Sequence, residues 1–202
     1  FTLGQDIHAR TAAEVYGVPL AEVTPQMRSS AKAVNFGIVY GISAFSLSED
    51  IGVSVAEAKQ YIDNYLRNYA GVREYMKHIV EQAKHDGFVT TLLGRRRELP
   101  ELKSSNFNLR SFGERVALNT PIQGTAADII KIAMARVSRC LEEEGFAAHM
   151  ILQVHDELDF ECPIDEVERL TTMVRDAMEH VVDLRVPLIA EASTGITWAD
   201  AK

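Results

Sequence analysis

His149-Met150-Ile151-Leu152-Gln153-Val154-His155-Asp156-Glu157-Leu158-Asp159-Phe160-Glu161-Cys162 changes the period of a chain otherwise written in helical spacing. Two strand-like runs flank His155-Asp156, which predicts a β-hairpin whose tight turn carries those two polar side chains. Upstream, helical pattern covers about 106–118 and again 123–144, ending at Gly145, and Pro121 is expected to bend or interrupt it. Downstream, residues 163–182 read as an amphipathic helix and 187–196 as a last strand.

Further towards the N-terminus the pattern is helical. Phe88-Val89-Thr90-Thr91-Leu92-Leu93-Gly94 suggests a short strand and turn. Residues 54–86 read as two helices broken near Ala70-Gly71; the first has apolar positions at Val55, Ala58, Tyr61, Ile62 and Tyr65. Thr24-Pro25 is an N-cap followed by proline at the first helical position, and the helix it opens should reach about Tyr40, where Gly41 can end it. The expected class is α+β: a predominantly helical front lobe and a rear lobe with a small antiparallel sheet.

The 202 residues are 47% apolar and 25% charged, ordinary for a globular protein. No apolar run approaches the ~20 residues needed to span a bilayer, so no membrane is expected. Phe1-Thr2-Leu3-Gly4-Gln5-Asp6 does not read as a signal peptide, and the missing initiator Met suggests an excised fragment. Cys140 and Cys162 are far apart and are expected as buried, reduced thiols. Charge is unevenly spread. Residues 1–115 carry 14 Lys/Arg against 13 Asp/Glu (+1), and residues 116–202 carry 7 against 16 (−9), together the net −8. Such a split suits polyanion on one face and metal ions on another, although an acidic solvated surface explains the charge alone.

Arg28, Lys32, Phe36 and Tyr40 recur every four residues along one face of the helix after Pro25. Two cations near a helix N-terminus, followed by two aromatics, suit a triphosphate with its sugar and base. On the spacing alone, an amphipathic helix with core aromatics and solvated cations is the better reading. At the hairpin turn, Asp156 and Glu157 offer carboxylate oxygens of the kind Mg²⁺ prefers. Arg115, Asn119 and Gln123 also step by four, and Arg95-Arg96-Arg97 is a basic run suited to phosphate.

The ordered string Arg28-Ser29-Ser30-Ala31-Lys32-Ala33-Val34-Asn35-Phe36-Gly37-Ile38-Val39-Tyr40-Gly41 resembles the nucleotide-binding helix of family A DNA polymerases. Gly4-Gln5-Asp6-Ile7-His8 before it, Arg115 to Asp128, Gln153-Val154-His155-Asp156-Glu157, and the closing Gly195 to Lys202 extend the resemblance over essentially the whole chain. The resemblance implies template-directed addition of deoxynucleoside triphosphates to a primer 3′-end by two-metal phosphoryl transfer, with two Mg²⁺ ions in the complete enzyme. It implies that His8, Arg28 and Lys32 contact the phosphates, with Lys32 also a proton donor to pyrophosphate, and that Phe36 packs on sugar and base. Tyr40 would occupy the templating pocket until the helix closes. Arg115, Asn119, Gln123 and His155 would touch primer–template DNA, partly in the minor groove. Arg95, Arg96 and Arg97 would meet template or backbone. Asp156 would ligate metal, with Glu157 assisting less directly. Residues 1–19 would lead from palm into fingers, 20–105 form the fingers, and 106–202 the C-terminal palm. A bacterial, cytoplasmic, nucleoid-associated location is expected.

The family's Asp-Tyr-Ser-Gln-Ile-Glu-Leu-Arg-like segment, whose Asp bridges both metals, does not occur in residues 1–202. The expectation is that it lies upstream, so that the parent enzyme polymerises DNA and this fragment alone does not. Loss of that segment would leave a sheet edge through which a non-native homodimer can form. Two other functions compete: a non-catalytic nucleotide- or DNA-binding module, and an HD-type phosphohydrolase. The second needs its His-Asp on a helix with further ligands, and only five other histidines are scattered along the chain.

Overall fold

The structure, a computed structural model, describes residues 6–201. The helices are α1 (Ile7–Tyr16), α2 (Pro25–Val39), α3 (Ala44–Ile51), α4 (Val55–Asn68), α5 (Ala70–Asp86), α6 (Phe107–Glu143) and α7 (Val167–Glu179). Strands β1 (Phe88–Thr90) and β2 (Arg96–Glu98) form one antiparallel pair, and β3 (His149–Val154) and β4 (Glu157–Glu161) another. The class is α+β, as expected. The chain divides into two compact units between Gly124 and Thr125, within α6.

In the first unit Thr24 caps α2 as its spacing predicts: the hydroxyl accepts from Met27 N at 3.2 Å, and Pro25 holds the first helical position. Val34 and Ile38 of α2 are buried with Leu47 of α3 and Ala58 and Tyr65 of α4. Each large side chain so buried contributes about 1.5–3 kcal/mol, so this stripe fixes which way α2 faces. A second cluster, Ala83, Val89, Leu99, Leu102 and Ala117, joins α5, the β1–β2 hairpin and the first part of α6. Gly113 permits that last approach, because a Cβ there would lie 3.2 Å from the backbone N of Leu102. α4 ends at Asn68 and α5 begins at Ala70, matching the expected break. α1, α3 and β2 had no counterpart in the sequence pattern.

In the second unit, Val137 and Leu141 of α6 pack with Ala148, Leu170 and Ala177, against Met150 and Phe160 of the β3–β4 sheet. The hairpin has the predicted register, Val154 opposite Glu157, with His155-Asp156 as its two-residue turn. A register shift between Met150 and Leu152 marks a bulge at Ile151. Both cysteines are free and half-buried.

Two expectations need correction. α6 is one helix from Phe107 to Glu143 and runs through Pro121 without interruption. Proline inside a helix costs about 3 kcal/mol, and burial of Ala117 and Leu118 before it and Ala133 and Val137 after it offsets that cost. Residues 187–196 form no strand. Their alternation favours extended backbone, but β3 and β4 pair only with each other among the described residues. The Ala190 amide instead donates to the Glu179 carboxylate at 3.0 Å.

Candidate functional site

Because α2 buries Ala31, Val34, Asn35 and Ile38, its opposite side must face solvent. Phe36 is 46% exposed there, which rules out a core position for its ring, and Tyr40 is half-buried. The Phe36 ring lies 6.1 Å from that of Tyr40 at 26°, and 5.8 Å from the His8 imidazole. The Lys32 ammonium is 6.0 Å from the Phe36 centroid. The five residues therefore make one continuous surface, with cations at one end and aromatics at the other.

α1 brings His8 to this surface, and Asp6 organises the junction. One Asp6 oxygen accepts from the amides of His8 (2.9 Å) and Ala9 (3.1 Å), capping α1. The other accepts from Arg28 Nε at 2.6 Å. The Arg28 guanidinium and the two amides hold the Asp6 carboxyl below the usual carboxylate range. Asn35 Nδ2 donates to His8 Nδ1 at 3.0 Å. Burial, with Arg28 and Lys32 nearby, pushes the His8 pKa down from 6.5 against the opposing charge of Asp6, which favours a neutral imidazole. Asp6 and Asn35 were not singled out as site residues in the sequence. An Asp two residues before a His at a helix start, and an Asn inside a helix where Asn is disfavoured, were the available signals.

Where α2 ends, Gly41 takes a positive φ of 77°, and a Cβ there would lie 3.0 Å from Leu118 Cδ1 and 3.6 Å from Arg115 Cγ. The end of α2 thus abuts α6 beside Arg115, within one unit. Arg115 and Gln123 are exposed and Asn119 is half-buried. Arg115 Nη1 donates to Ser111 at 3.3 Å, and Asn119 Oδ1 is buried without a hydrogen-bond partner.

The three consecutive arginines differ. Arg95 Nη2 donates to the Gly124 carbonyl at 2.9 Å. Arg96 lies over the Phe88 ring at 3.6 Å and pairs with Glu98 at 2.6 Å. Arg97 is exposed on β2 opposite Val89. Arg96 is thus engaged within the β1–β2 hairpin, and Arg95 reaches across to α6.

In the second unit His155, Asp156 and Glu157 are all exposed at the hairpin turn. His155 is the non-glycine with positive φ (54°) among the described residues, a conformation costing about 1–2 kcal/mol. Its carbonyl accepts from Gln153 Nε2 at 2.5 Å. Glu157 Oε1 accepts from Trp198 Nε1 at 3.4 Å. The adjacent carboxylates have the hard-oxygen chemistry that Mg²⁺ needs. No cluster of three His, Cys, Asp or Glu side chains occurs among the described residues. Asp156 and Glu157 therefore fit one side of a magnesium cage and not a whole one. The turn also lacks the helical setting an HD phosphohydrolase requires.

The α2 face, the α6 residues and the carboxylate turn lie in a chain of a recognisable class: it belongs to DNA polymerase family A, whose model matches residues 1–200. Its relatives bear a particular name. The chain is 54% identical over 197 residues to DNA polymerase I of Bacillus caldotenax, covering 98% of this chain and 22% of that protein. It is 53% identical over 202 residues to DNA polymerase I of Bacillus subtilis, covering 100% and 23%. A solved structure, the POL domain of Pol1 from M. smegmatis in complex with DNA primer-template and dNTP, matches with a TM-score of 0.94 at 44% identity, covering 99% of this chain and 35% of that one. The chain thus spans less than a quarter of the length of these two curated relatives. No described helix is long and apolar enough to cross a membrane.

Proposed function

We propose that this chain carries the incoming-nucleotide face and part of the metal-binding turn of an enzyme that performs template-directed DNA synthesis. The observation that carries the proposal is the outward face of α2, where His8, Arg28, Lys32, Phe36 and Tyr40 line up opposite the buried stripe. Arg28, Lys32 and His8 bind the triphosphate of a deoxynucleotide, and Phe36 and Tyr40 offer apolar rings to its sugar and base. Lys32 donates a proton to the departing pyrophosphate. Arg115, Asn119 and Gln123 on α6 bind the primer–template duplex, and His155 supports the primer terminus. All three arginines are exposed, and Arg97 is the best placed for template phosphate because Arg95 is engaged by the Gly124 carbonyl and Arg96 by Phe88 and Glu98.

Asp156 holds Mg²⁺, with Glu157 in support. When bound, Mg²⁺ would stabilise charge on the transferring phosphate and activate the attacking hydroxyl. Because two carboxylates are too few, a further ligand from another part of the polymerase completes the cage, and the 202-residue chain alone does not extend primers. Residues 1–19, 20–105 and 106–202 serve as the connection from palm, the fingers and the C-terminal palm. The enzyme works in the bacterial cytoplasm at the nucleoid.

The test is primer extension with Mg²⁺ and four deoxynucleotides, using this chain beside a longer form containing the upstream palm segment and thumb. Extension by the longer form alone supports the proposal. Extension by the chain itself would show that the metal site is complete. Folded protein of both lengths that binds duplex DNA without extending it would favour a non-catalytic binding module.

A further inference from the structure

Two polar side chains beneath the α2 face have no role in the reading above, and each is bound to a residue that does. Asp6 needs only one oxygen to cap α1, and Oδ1 does this for the amides of His8 and Ala9. Its Oδ2 instead reaches Arg28 Nε, 22 residues away, at 2.6 Å. A guanidinium has five N–H donors in a rigid plane. With Nε–H taken, the four on Nη1 and Nη2 remain for an anion, and the plane is fixed by the bond at its Nε edge. An acid beside a phosphate site repels the ligand, so its presence there needs a compensating effect.

Asn35 is 6% exposed in the interior of α2, with its Oδ1 buried and unbonded. Its Nδ2 lies 3.0 Å from His8 Nδ1. An amide nitrogen only donates, so Nδ1 must present its lone pair, and the proton of a neutral ring must sit on Nε2 at the far edge. Charged or titratable groups near the ring are Asp6, Arg28 and Lys32. Burial, helped by the two cations and opposed by Asp6, favours the neutral ring, so its tautomer decides whether it offers a donor or an acceptor.

We propose that Asp6 and Asn35 are positioning residues that aim the donor edges of Arg28 and His8 before any ligand arrives. Asp6 turns the Nη groups of Arg28 outward, and Asn35 keeps a proton on His8 Nε2. This rests on the α2 face being a phosphate site. Donors already oriented lose less side-chain freedom on binding, which raises affinity without any new contact.

The test uses the 202-residue chain, ¹⁵N-labelled, at neutral pH. Ring-nitrogen shifts of His8 should report a bare Nδ1 and a protonated Nε2. N35L should mix the tautomers, and N35D should move the proton to Nδ1. D6N keeps the helix cap, since Asn caps as well as Asp, but leaves no acceptor for Arg28. Its Arg28 Nε–H signal should lose its hydrogen-bonded shift while the rest of the spectrum keeps the dispersion of the folded chain. Calorimetry with inorganic tripolyphosphate should show binding about tenfold weaker for D6N than for wild type. Nδ1 protonated in the wild type, or an Arg28 signal unchanged in D6N, overturns the proposal. So does equal or tighter tripolyphosphate binding by D6N, which would mean that Asp6 acts only by repulsion. A wild-type chain with both signals that binds no tripolyphosphate upholds the positioning and removes phosphate from the reading above.

Discussion

The outward face of α2 and the β3–β4 turn carry the two halves of the proposed chemistry, and they are built in opposite ways. On α2 the functional side chains have partners inside the chain: Arg28 on Asp6, His8 on Asn35, and the Phe36 ring between His8 and Tyr40. At the turn, Asp156 and Glu157 stand exposed, one in the two-residue turn beside the strained His155 and the other at the start of β4, and the Glu157 contact with Trp198 is long, 3.4 Å. A site for a polyanion can be pre-formed from one chain segment, because cations and amides stabilise one another's orientation through an intervening acid. A site for a dication needs several anions close together, and these repel until the ion arrives. The first kind is therefore visible in a short stretch of fold, and the second is assembled from distant parts.

The sharpest way to break this contrast is at Asp156. In a longer form of the protein that extends primers, D156A should lower the extension rate by about 10³-fold or more, since a bound metal ion supplies several kcal/mol. Tripolyphosphate binding at α2 should be unchanged. A variant that keeps a tenth of the rate would place the metal on other residues.

Lys32 comes next. K32A should cost roughly a hundredfold in extension rate, the lower end of what a positioned proton donor supplies. K32R keeps the charge but is a far poorer acid, so it should restore nucleotide affinity and leave the rate low. If K32R extends at the wild-type rate, Lys32 binds phosphate and donates no proton.

How much of this contrast could be read from residues alone follows from the range of the forces. The start of α2 was legible because Thr24 and Pro25 act on their own helix turn, and the β3–β4 turn because register is fixed by two adjacent residues. Which side of α2 faces out was not legible. The step of four from Arg28 to Tyr40 suits a core stripe as well as a ligand face, and the choice is made by Leu47, Ala58 and Tyr65 packing from other helices. The interruption that Pro121 suggests fails for the same reason, since helix propensity is local and the burial that overrides it is not. Residues 187–196 show the converse: their pattern suits a strand, but a ladder needs a partner, and among the described residues none pairs with them. Arg95 and Arg96 are adjacent in sequence, yet one finds Gly124 and the other Phe88.

The end of α2 tests whether its face depends on α6. G41A places a Cβ 3.0 Å from Leu118 on a residue with φ of 77°. Thermal or urea unfolding should show a loss of about 1–2 kcal/mol from the left-handed backbone alone. A neutral G41A would mean that the α2 end is free to shift, and the close fit against Arg115 would then count for little in aiming it.

The strain at the turn gives a smaller signal of opposite sign. Replacing His155 with Gly removes the penalty of positive φ but raises unfolded-chain entropy, so the expected stabilisation lies between zero and about 1 kcal/mol. Primer extension by the longer form should fall even so, because the imidazole is lost. A destabilisation beyond about 1 kcal/mol would show that the His155 side chain supports the hairpin, and would weaken its assignment to the primer terminus.

The smallest effect is a pH dependence confined to the α2 side. Burial pushes the His8 pKa below 6.5, and Arg28 and Lys32 add to this while Asp6 opposes it. Between the unfolded value and the lower folded one, the unfolded chain binds more protons. Stability should therefore fall as pH drops from about 6.5 through the folded pKa, and level off below it as far as this group is concerned. Asp6, whose folded pKa is depressed chiefly by Arg28, contributes in a separate window: its stabilisation is present above the ordinary 3.8 and is lost as pH falls through the lower folded value. Melting curves of wild type and H8Q from pH 7.5 to 5 should diverge below about 6.5, with the variant flatter. Tripolyphosphate should shrink the wild-type slope, because the anion favours a protonated ring and moves the folded pKa back up. If the slope is the same in H8Q, the titrating group lies elsewhere, and the neutral His8 held between Asn35 and the ligand face is no longer supported.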